Sequence, residues 1–287
     1  MTGPDQLHLA YVHSPMRYAW DLQHQYLAES GMTRGVRGAA ARVLLHHMRM
    51  WDSRTGHGVD AFAANSHFIA RRIRKIYGRE AQVIHPPVRV PATPFRGARG
   101  DYFLTASRLV QYKNVRAVVE AFRGLPEQRL VVAGTGPDLG RLRQAAPANV
   151  EFRGFVPDAE LGGLMEGARA FVYAAEEDFG IVVAEAQGHG TPVIALGRGG
   201  ARETVVTEGV HPTGLFFQRP EPGVIADAVR AFLARETGFR AADCHANARR
   251  FAGERFDAAF GAFVRTHWAR HCDRLSAGLP AALSAAA

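Results

Sequence analysis

From residue 101 onward the chain alternates short apolar runs with helix-like segments, and this alternation constrains the fold more than any single motif. The runs fall at 101–107, 129–134, 150–153, 170–174, 192–196 and 214–217. Helix-like segments lie between them at 114–123, 137–145, 158–168, 181–189 and 201–206. Strands alternating with helices predict a parallel, doubly wound α/β sheet. Three further helical stretches follow at 222–234, 240–251 and 252–270, and the Ala/Gly/Ser-rich tail after Arg274 is expected to fray.

Residues 1–90 carry a shorter version of the same pattern, with strands predicted at 8–13, 59–65 and 81–84 and helices at 18–29, 36–51 and 67–77. The segment 86–100 holds Pro86, Pro87, Pro91 and Pro94 and reads as an interdomain linker. The predicted organisation is a partial domain at 1–90, a nucleotide-binding domain at 91–270 and a tail at 271–287.

Charge is uneven. The formal net charge is +8, and residues 1–99 hold fourteen Lys and Arg against six Asp and Glu, so all of the excess sits there. A basic face attracts phosphate-bearing substrates, anionic membrane or nucleic acid; a solvated Arg-rich surface explains the same residues. The segment 33–45 reads either as an amphipathic helix on an anionic membrane or as a packed helix with a basic outer face. Nucleic acid is not expected as a partner, because the basic third contains no reader module. Only Lys75 and Lys113 are lysines, so each marks a place where a compact ammonium is used instead of a guanidinium. No apolar run approaches the roughly 18–20 residues that span a bilayer. Two cysteines, Cys244 and Cys272, without metal spacing fit a reducing, cytoplasmic setting.

The chemistry-bearing residues follow the predicted strands. Glu177 and Glu185 stand eight residues apart, the first after the run 170–174 and the second inside the next helix, with Phe179, Gly180 and Ile181 forming the turn. Free N–H groups at such a helix start face phosphate, and the second carboxylate can accept both hydroxyls of a ribose. Arg108 and Lys113 sit on the loop after the first strand of the second domain, five residues apart, where two cations can clamp a pyrophosphate. Gly134 and Gly136 follow the next strand. They suit a close backbone approach to a ligand, or simply a tight turn into a helix with Pro137 near its start. Phe155 and Val156 follow the third strand, on a loop able to hold a base edge through backbone groups, or only to turn the chain. His13 ends a strand in the first domain; a lone histidine is often structural, and its strand-end position is what favours a functional role. No metal-ligand spacing occurs, so pyrophosphate handling is expected to rest on Arg108, Lys113 and helix N-termini without a metal cofactor.

Taken together, Ser107-Arg108-Leu109, Lys113-Asn114, Gly134-Thr135-Gly136-Pro137, Gly154-Phe155-Val156, Glu177 with Glu185, and 188–195 resemble the retaining glycosyltransferases of family 4. That family, also termed group 1, has the GT-B fold of two Rossmann-like domains. The stretches 13–21, 64–66 and 85–88 resemble a bacterial subgroup of O-antigen mannosyltransferases that use GDP-mannose. The resemblance implies an α/β, GT-B type fold whose first domain is incomplete. The first domain would face the acceptor and the second would bind the nucleotide sugar. It also implies that Arg108 and Lys113 bind the donor diphosphate, Glu177 contacts the donor sugar, and Phe179, Gly180 and Ile181 offer N–H groups. By the same carry-over Glu185 holds the ribose and His13 lies near the sugar. In retaining chemistry of this kind the departing phosphate guides the acceptor hydroxyl, so no protein base is required. The implied acceptor is a glycan or a lipid-linked acceptor in polysaccharide biosynthesis.

Family members carry a longer sequence before the match to His13. A start called too late, a truncated protein, or a partner that completes the first sheet each account for the difference. A nucleotide-sugar-binding subunit without activity of its own, or a sugar epimerase on the same fold, are the alternative expectations.

Overall fold

The computed structural model describes residues 2, 3 and 5–278, and these form two compact units. One comprises the chain to His85 together with the segment from Phe256; the other runs from Pro86 to Arg255.

The first unit holds strands β1 (Leu9–Val12), β2 (Ala61–Ala64) and β3 (Ala81–Val83), paired in parallel in that order. Helices α1 (Gln23–Glu29), α2 (Gly35–Thr55) and α3 (His67–Tyr77) belong to it. Helix α3 starts where the Ser66 hydroxyl accepts from the Ile69 N–H, and it stops at Gly78, whose φ of 65° is left-handed. Its Ile69 and Ile73 are fully buried against Phe62 and Ala64, with Ala10 and Val12 beside them. Alternate residues of the same strands, Leu9, Tyr11, Ala61 and Ala63, face the other way.

That second face is covered by the chain's final described helix, Gly253–Gly278, through Phe256, Ala259, Phe260 and Phe263. The alternation of apolar runs and helices predicts a second domain that extends to residue 270. From Phe256 the chain belongs instead to the first unit, because its aromatic stripe fills this apolar face. The helix also runs through Arg274 to Gly278, where fraying was expected; the rest of the expected tail lies outside the described residues.

The second unit is a six-stranded, all-parallel sheet. Its strands are β4 (Tyr102–Ala106), β5 (Arg129–Ala133), β6 (Val150–Gly154), β7 (Phe171–Tyr173), β8 (Val193–Leu196) and β9 (Gly214–Phe217), in the spatial order β6-β5-β4-β7-β8-β9. Helices α4 (Val115–Arg123), α5 (Leu139–Ala145), α6 (Asp158–Gly167), α7 (Ile181–Gly188), α8 (Ala201–Thr204), α9 (Pro222–Leu233) and α10 (Ala241–Ala248) connect or follow the strands. Neighbouring residues of β4 point to opposite layers. Phe103 packs with Phe122, Val229 and Phe232 of α4 and α9, and Leu104 packs with Met165 and Val183 of α6 and α7. Strands buried on both faces explain why the runs read as continuously apolar.

The proline-rich segment is a strap held on this unit. The Val88 N–H donates to the Phe251 carbonyl at 2.8 Å, His245 Nε2 meets the Pro91 carbonyl at 2.8 Å, and Arg99 donates to the carbonyls of Ala168 and Gly190.

Candidate active site

In the strand order β6-β5-β4-β7-β8-β9 the direction of winding reverses between β4 and β7. The crevice outside the strand ends at such a reversal is where open α/β sheets bind ligands. The loop after β4 carries Arg108 and Lys113, and the loop after β7 carries Glu177. The two strands pair directly, Leu104 beside Phe171, so the two loops emerge side by side.

Lys113 and Glu177 form an ion pair in which the ammonium donates to Glu177 Oε1. The Tyr173 hydroxyl lies 3.2 Å from Lys113 Nζ and itself donates to Glu177 Oε1 at 3.1 Å. The ammonium also sits 5.1 Å from the Tyr112 ring centroid and 5.8 Å from that of Tyr173. Burial, and then the Glu177 carboxylate, push the Tyr173 hydroxyl well above its ordinary value, so it remains a protonated donor. Asn114, in the left-handed region at φ 55°, ties the two loops together by donating from Nδ2 to the Ala174 carbonyl at 3.0 Å. Arg108 is exposed on the same loop.

The glycines have a structural reason. A Cβ at Gly134, whose φ is 130°, would lie 1.9 Å from the Ser107 carbonyl oxygen, and one at Gly136 would lie 2.3 Å from that of Leu109. Both positions let the β5 loop press against the loop that carries Arg108. Helix α5 begins at Leu139 with Asp138 as its N-cap, so Pro137 lies in the turn directly before the helix start. Behind Glu177 a second brace operates. A Cβ at Gly199, φ 60°, would lie 2.2 Å from the Glu177 carbonyl oxygen, and the Gly200 N–H donates to that same oxygen at 2.8 Å.

Helix α7 starts after Gly180, whose carbonyl accepts from the Val183 and Ala184 N–H groups at 3.0 and 3.3 Å, which leaves those of Ile181 and Val182 without an acceptor in the helix. Ile181 is partly exposed there, whereas the Phe179 side chain is buried against Phe251 at 5.2 Å between centroids. Glu185, one turn on, lines a pocket of about 90 Å³ with Arg89, Asp158, Gly162, Met165 and His189. That volume is room for several waters. Burial raises the Glu185 carboxyl above its ordinary value and Asp158 adds to the rise, while Arg89 and His189 oppose it. His189 Nδ1 lies 3.1 Å from Glu166 Oε1. A buried amide network fixes α7 from behind: Asn247 Nδ2 donates to Gln187 Oε1 at 2.7 Å, and Gln187 Nε2 donates to the Thr204 carbonyl at 2.8 Å.

Phe155 is 77% exposed at the end of β6, and Val156 packs against the α6–α7 layer. His13, in the first unit, is exposed after β1; its ring meets Tyr11 edge-on at 4.9 Å and its carbonyl accepts from Asn65 Nδ2 at 3.0 Å. Tyr173, Gly199, Gly200 and Asp158 are not singled out by the sequence, and Asn114 enters there only within the Lys113-Asn114 stretch of the resemblance. The glycine pair in Gly197-Arg198-Gly199-Gly200 was the available signal; Tyr173 sat inside an apolar strand and looked like core. Among the described residues no group of three His, Cys, Asp or Glu could hold a metal ion, and no helix is long and apolar enough to cross a membrane.

The sequence profile of the glycosyl transferases group 1 matches residues 95–251, more than half of the chain. The chain belongs to this family. A D-inositol 3-phosphate glycosyltransferase from Xylanimonas cellulosilytica is 32% identical over 70% of this chain and 55% of its own length. A GDP-mannose-dependent alpha-(1-6)-phosphatidylinositol monomannoside mannosyltransferase from Mycolicibacterium smegmatis is 29% identical over 63% of this chain and 55% of its own length. The chain thus spans about half the length of these curated relatives. Among solved structures, sucrose-phosphate synthase from Thermosynechococcus elongatus superposes with a TM-score of 0.71 at 20% identity, covering 91% of this chain and 68% of that one. Anabaena HepE, solved in complex with UDP and glucose, gives 0.66 at 18%, over 91% of this chain and 72% of that one. These neighbours are GT-B glycosyltransferases, and the fold of this group 1 member is α/β of that type. The family match covers every candidate residue of the second unit and leaves out His13.

Proposed function

We propose that this glycosyltransferase transfers a hexose with retention, mannose from GDP-mannose, to a glycan or lipid-linked acceptor in the cytoplasm, in polysaccharide biosynthesis. The observation that carries the reading is the meeting of Lys113 and Glu177 on adjacent strand-end loops at the reversal of the sheet. Relatives at about 30% identity whose names specify GDP-mannose support the donor.

In this proposal the donor diphosphate lies over the β4 loop and the start of α7. Arg108 and Lys113 neutralise the charge that grows on the leaving phosphate, and the first N–H groups of α7 add donors to it. Phosphate competes with Glu177 for the Lys113 ammonium, so donor entry loosens the ion pair and turns the carboxylate toward the sugar. Glu185 accepts from the ribose hydroxyls. Phe155 and Val156 stand at β6, two strand spacings or about 10 Å from β4, a distance a nucleoside diphosphate spans, and they flank the base. The leaving phosphate receives the acceptor proton, which is why the proposal assigns no protein base and needs no metal.

The test is calorimetry and a transfer assay with GDP-mannose and UDP-glucose. Tight binding of the guanosine donor, lost in Lys113→Ala and Glu185→Ala, is expected. Unchanged binding in both variants overturns the site, and preference for the uridine donor overturns the base assignment. Binding without transfer or hydrolysis identifies the second reading, a donor-binding subunit.

A further inference from the structure

Helix α2 presents an apolar face to solvent. Val36 is 87% exposed, Leu44 62%, Trp51 61% and Val43 57%. At 100° per residue these four, with Met50, fall within an arc of about 120°. The opposite side is the one that packs, since Gly38 and Asp52 are buried. Asp52 accepts from Trp20 Nε1 at 2.8 Å and from the Tyr77 hydroxyl, which fixes that side as inward. An ordinary amphipathic helix keeps its large apolar residues inside; α2 reverses this.

The charge around the face has one sign. Asp52 is the sole acidic residue between Ser30 and Val59, and it points inward. Arg34, Arg37 and Arg54 are exposed at the two ends of the helix, with His46 and His47 between them. Val36 and Trp51 are separated by about 22 Å along the axis at 1.5 Å per residue. The pattern is an apolar strip with exposed His47 set within it, cations at both ends and an indole near one of them.

We propose that α2 lies in the surface of an anionic phospholipid membrane. Val36, Val43, Leu44 and Trp51 enter the boundary between headgroups and acyl chains, and Arg34, Arg37 and Arg54 pair with lipid phosphates. A second copy of this chain would bring the same cations against themselves. A partner protein would have to supply matching acidic residues, which an anionic bilayer supplies without specific fit. The proposal rests on the lipid-linked acceptor reading only for its purpose, because it gives such an acceptor a place to meet the enzyme.

The test is flotation of the full chain with vesicles of phosphatidylcholine alone and with about a third phosphatidylglycerol, without sugar donor. Flotation with the anionic vesicles only is expected, falling about tenfold or more in Val43→Ser/Leu44→Ser and in Arg34→Gln/Arg37→Gln. Circular dichroism and the thermal unfolding of the full chain stay unchanged in both variants, which shows that they fold. A blue shift of tryptophan emission on vesicle addition, absent in Trp51→Phe, places the indole at the interface. No flotation, equal flotation with both vesicles, or a concentration-dependent dimer abolished by the serine variant overturns the proposal. Transfer to a soluble acceptor is measured separately, so failure at the membrane and failure of the transferase reading are distinct results.

Discussion

Lys113 and Glu177 stand on loops of two directly paired strands, and their ion pair closes the gap at which the winding of the sheet reverses. Both side chains are largely covered, at 14% and 20% exposure, so the pair is neither a solvated surface contact nor a fully buried one. Within the proposed site it holds two functional groups in place before the donor arrives.

Lys113→Ala is expected to cut transfer by about a hundredfold or more, as removal of a charge-stabilising group does in other active sites. Glu177→Gln keeps the shape and is expected to spare donor affinity while lowering the transfer rate. Calorimetry and steady-state kinetics separate the two effects, and equal loss of binding in both variants contradicts the assignment.

Tyr173→Phe removes only a hydroxyl from a position that is 3% exposed. The ring still fills the core, so the stability cost is about 1 kcal/mol. Without the hydroxyl, Lys113 and Glu177 lose their shared partner. The rate of transfer is expected to fall about three- to tenfold with little change in donor KM, and thermal unfolding measured beside the kinetics distinguishes this from general destabilisation.

Glu185 titrates above its ordinary value because it is buried. The carboxylate form accepts ribose hydroxyls, so donor affinity is expected to weaken as pH falls through that raised pKa. The sign for folding is opposite: the contribution present below the unfolded pKa is lost as pH rises through the folded one. Glu185→Gln removes both slopes. Donor titrations and chemical unfolding from pH 4.5 to 8 check this, and a variant that retains the wild-type affinity slope places the titrating group elsewhere.

Gly199→Ala tests the brace behind Glu177. A methyl group there meets the Glu177 carbonyl oxygen in a left-handed backbone. The expected cost is about 2 kcal/mol or more, a fall of roughly 5 °C in Tm, with loss of donor binding. An unaltered melting curve contradicts this account.

The sheet was legible because its central strands are apolar on both faces and each strand is punctuated by a turn. Arg108, Lys113, Glu177 and Glu185 could be placed on loops and a helix because they follow those strands. Partnerships were not legible: nothing in the sequence near Lys113 points to a residue sixty positions away. Tyr173 was hidden because a tyrosine at a strand end reads the same whether its hydroxyl is buried in a network or bare. The role of Gly134 was half legible; close approach was foreseen, but the neighbour it meets is the carbonyl of Ser107. The final helix was assigned to the wrong unit because its Phe256, Phe260 and Phe263 stripe says that it packs, and not on which sheet.

Val88 and Ala252 form a parallel bridge, so the two ends of the segment 86–255 are hydrogen-bonded neighbours. A stretch whose ends meet behaves as a cassette inserted in its host, able to be excised or circularly permuted without stretching its backbone. Expressed alone, residues 86–255 are expected to melt cooperatively and to bind donor within about tenfold of the whole chain. A fragment that remains unfolded shows that this half borrows its stability.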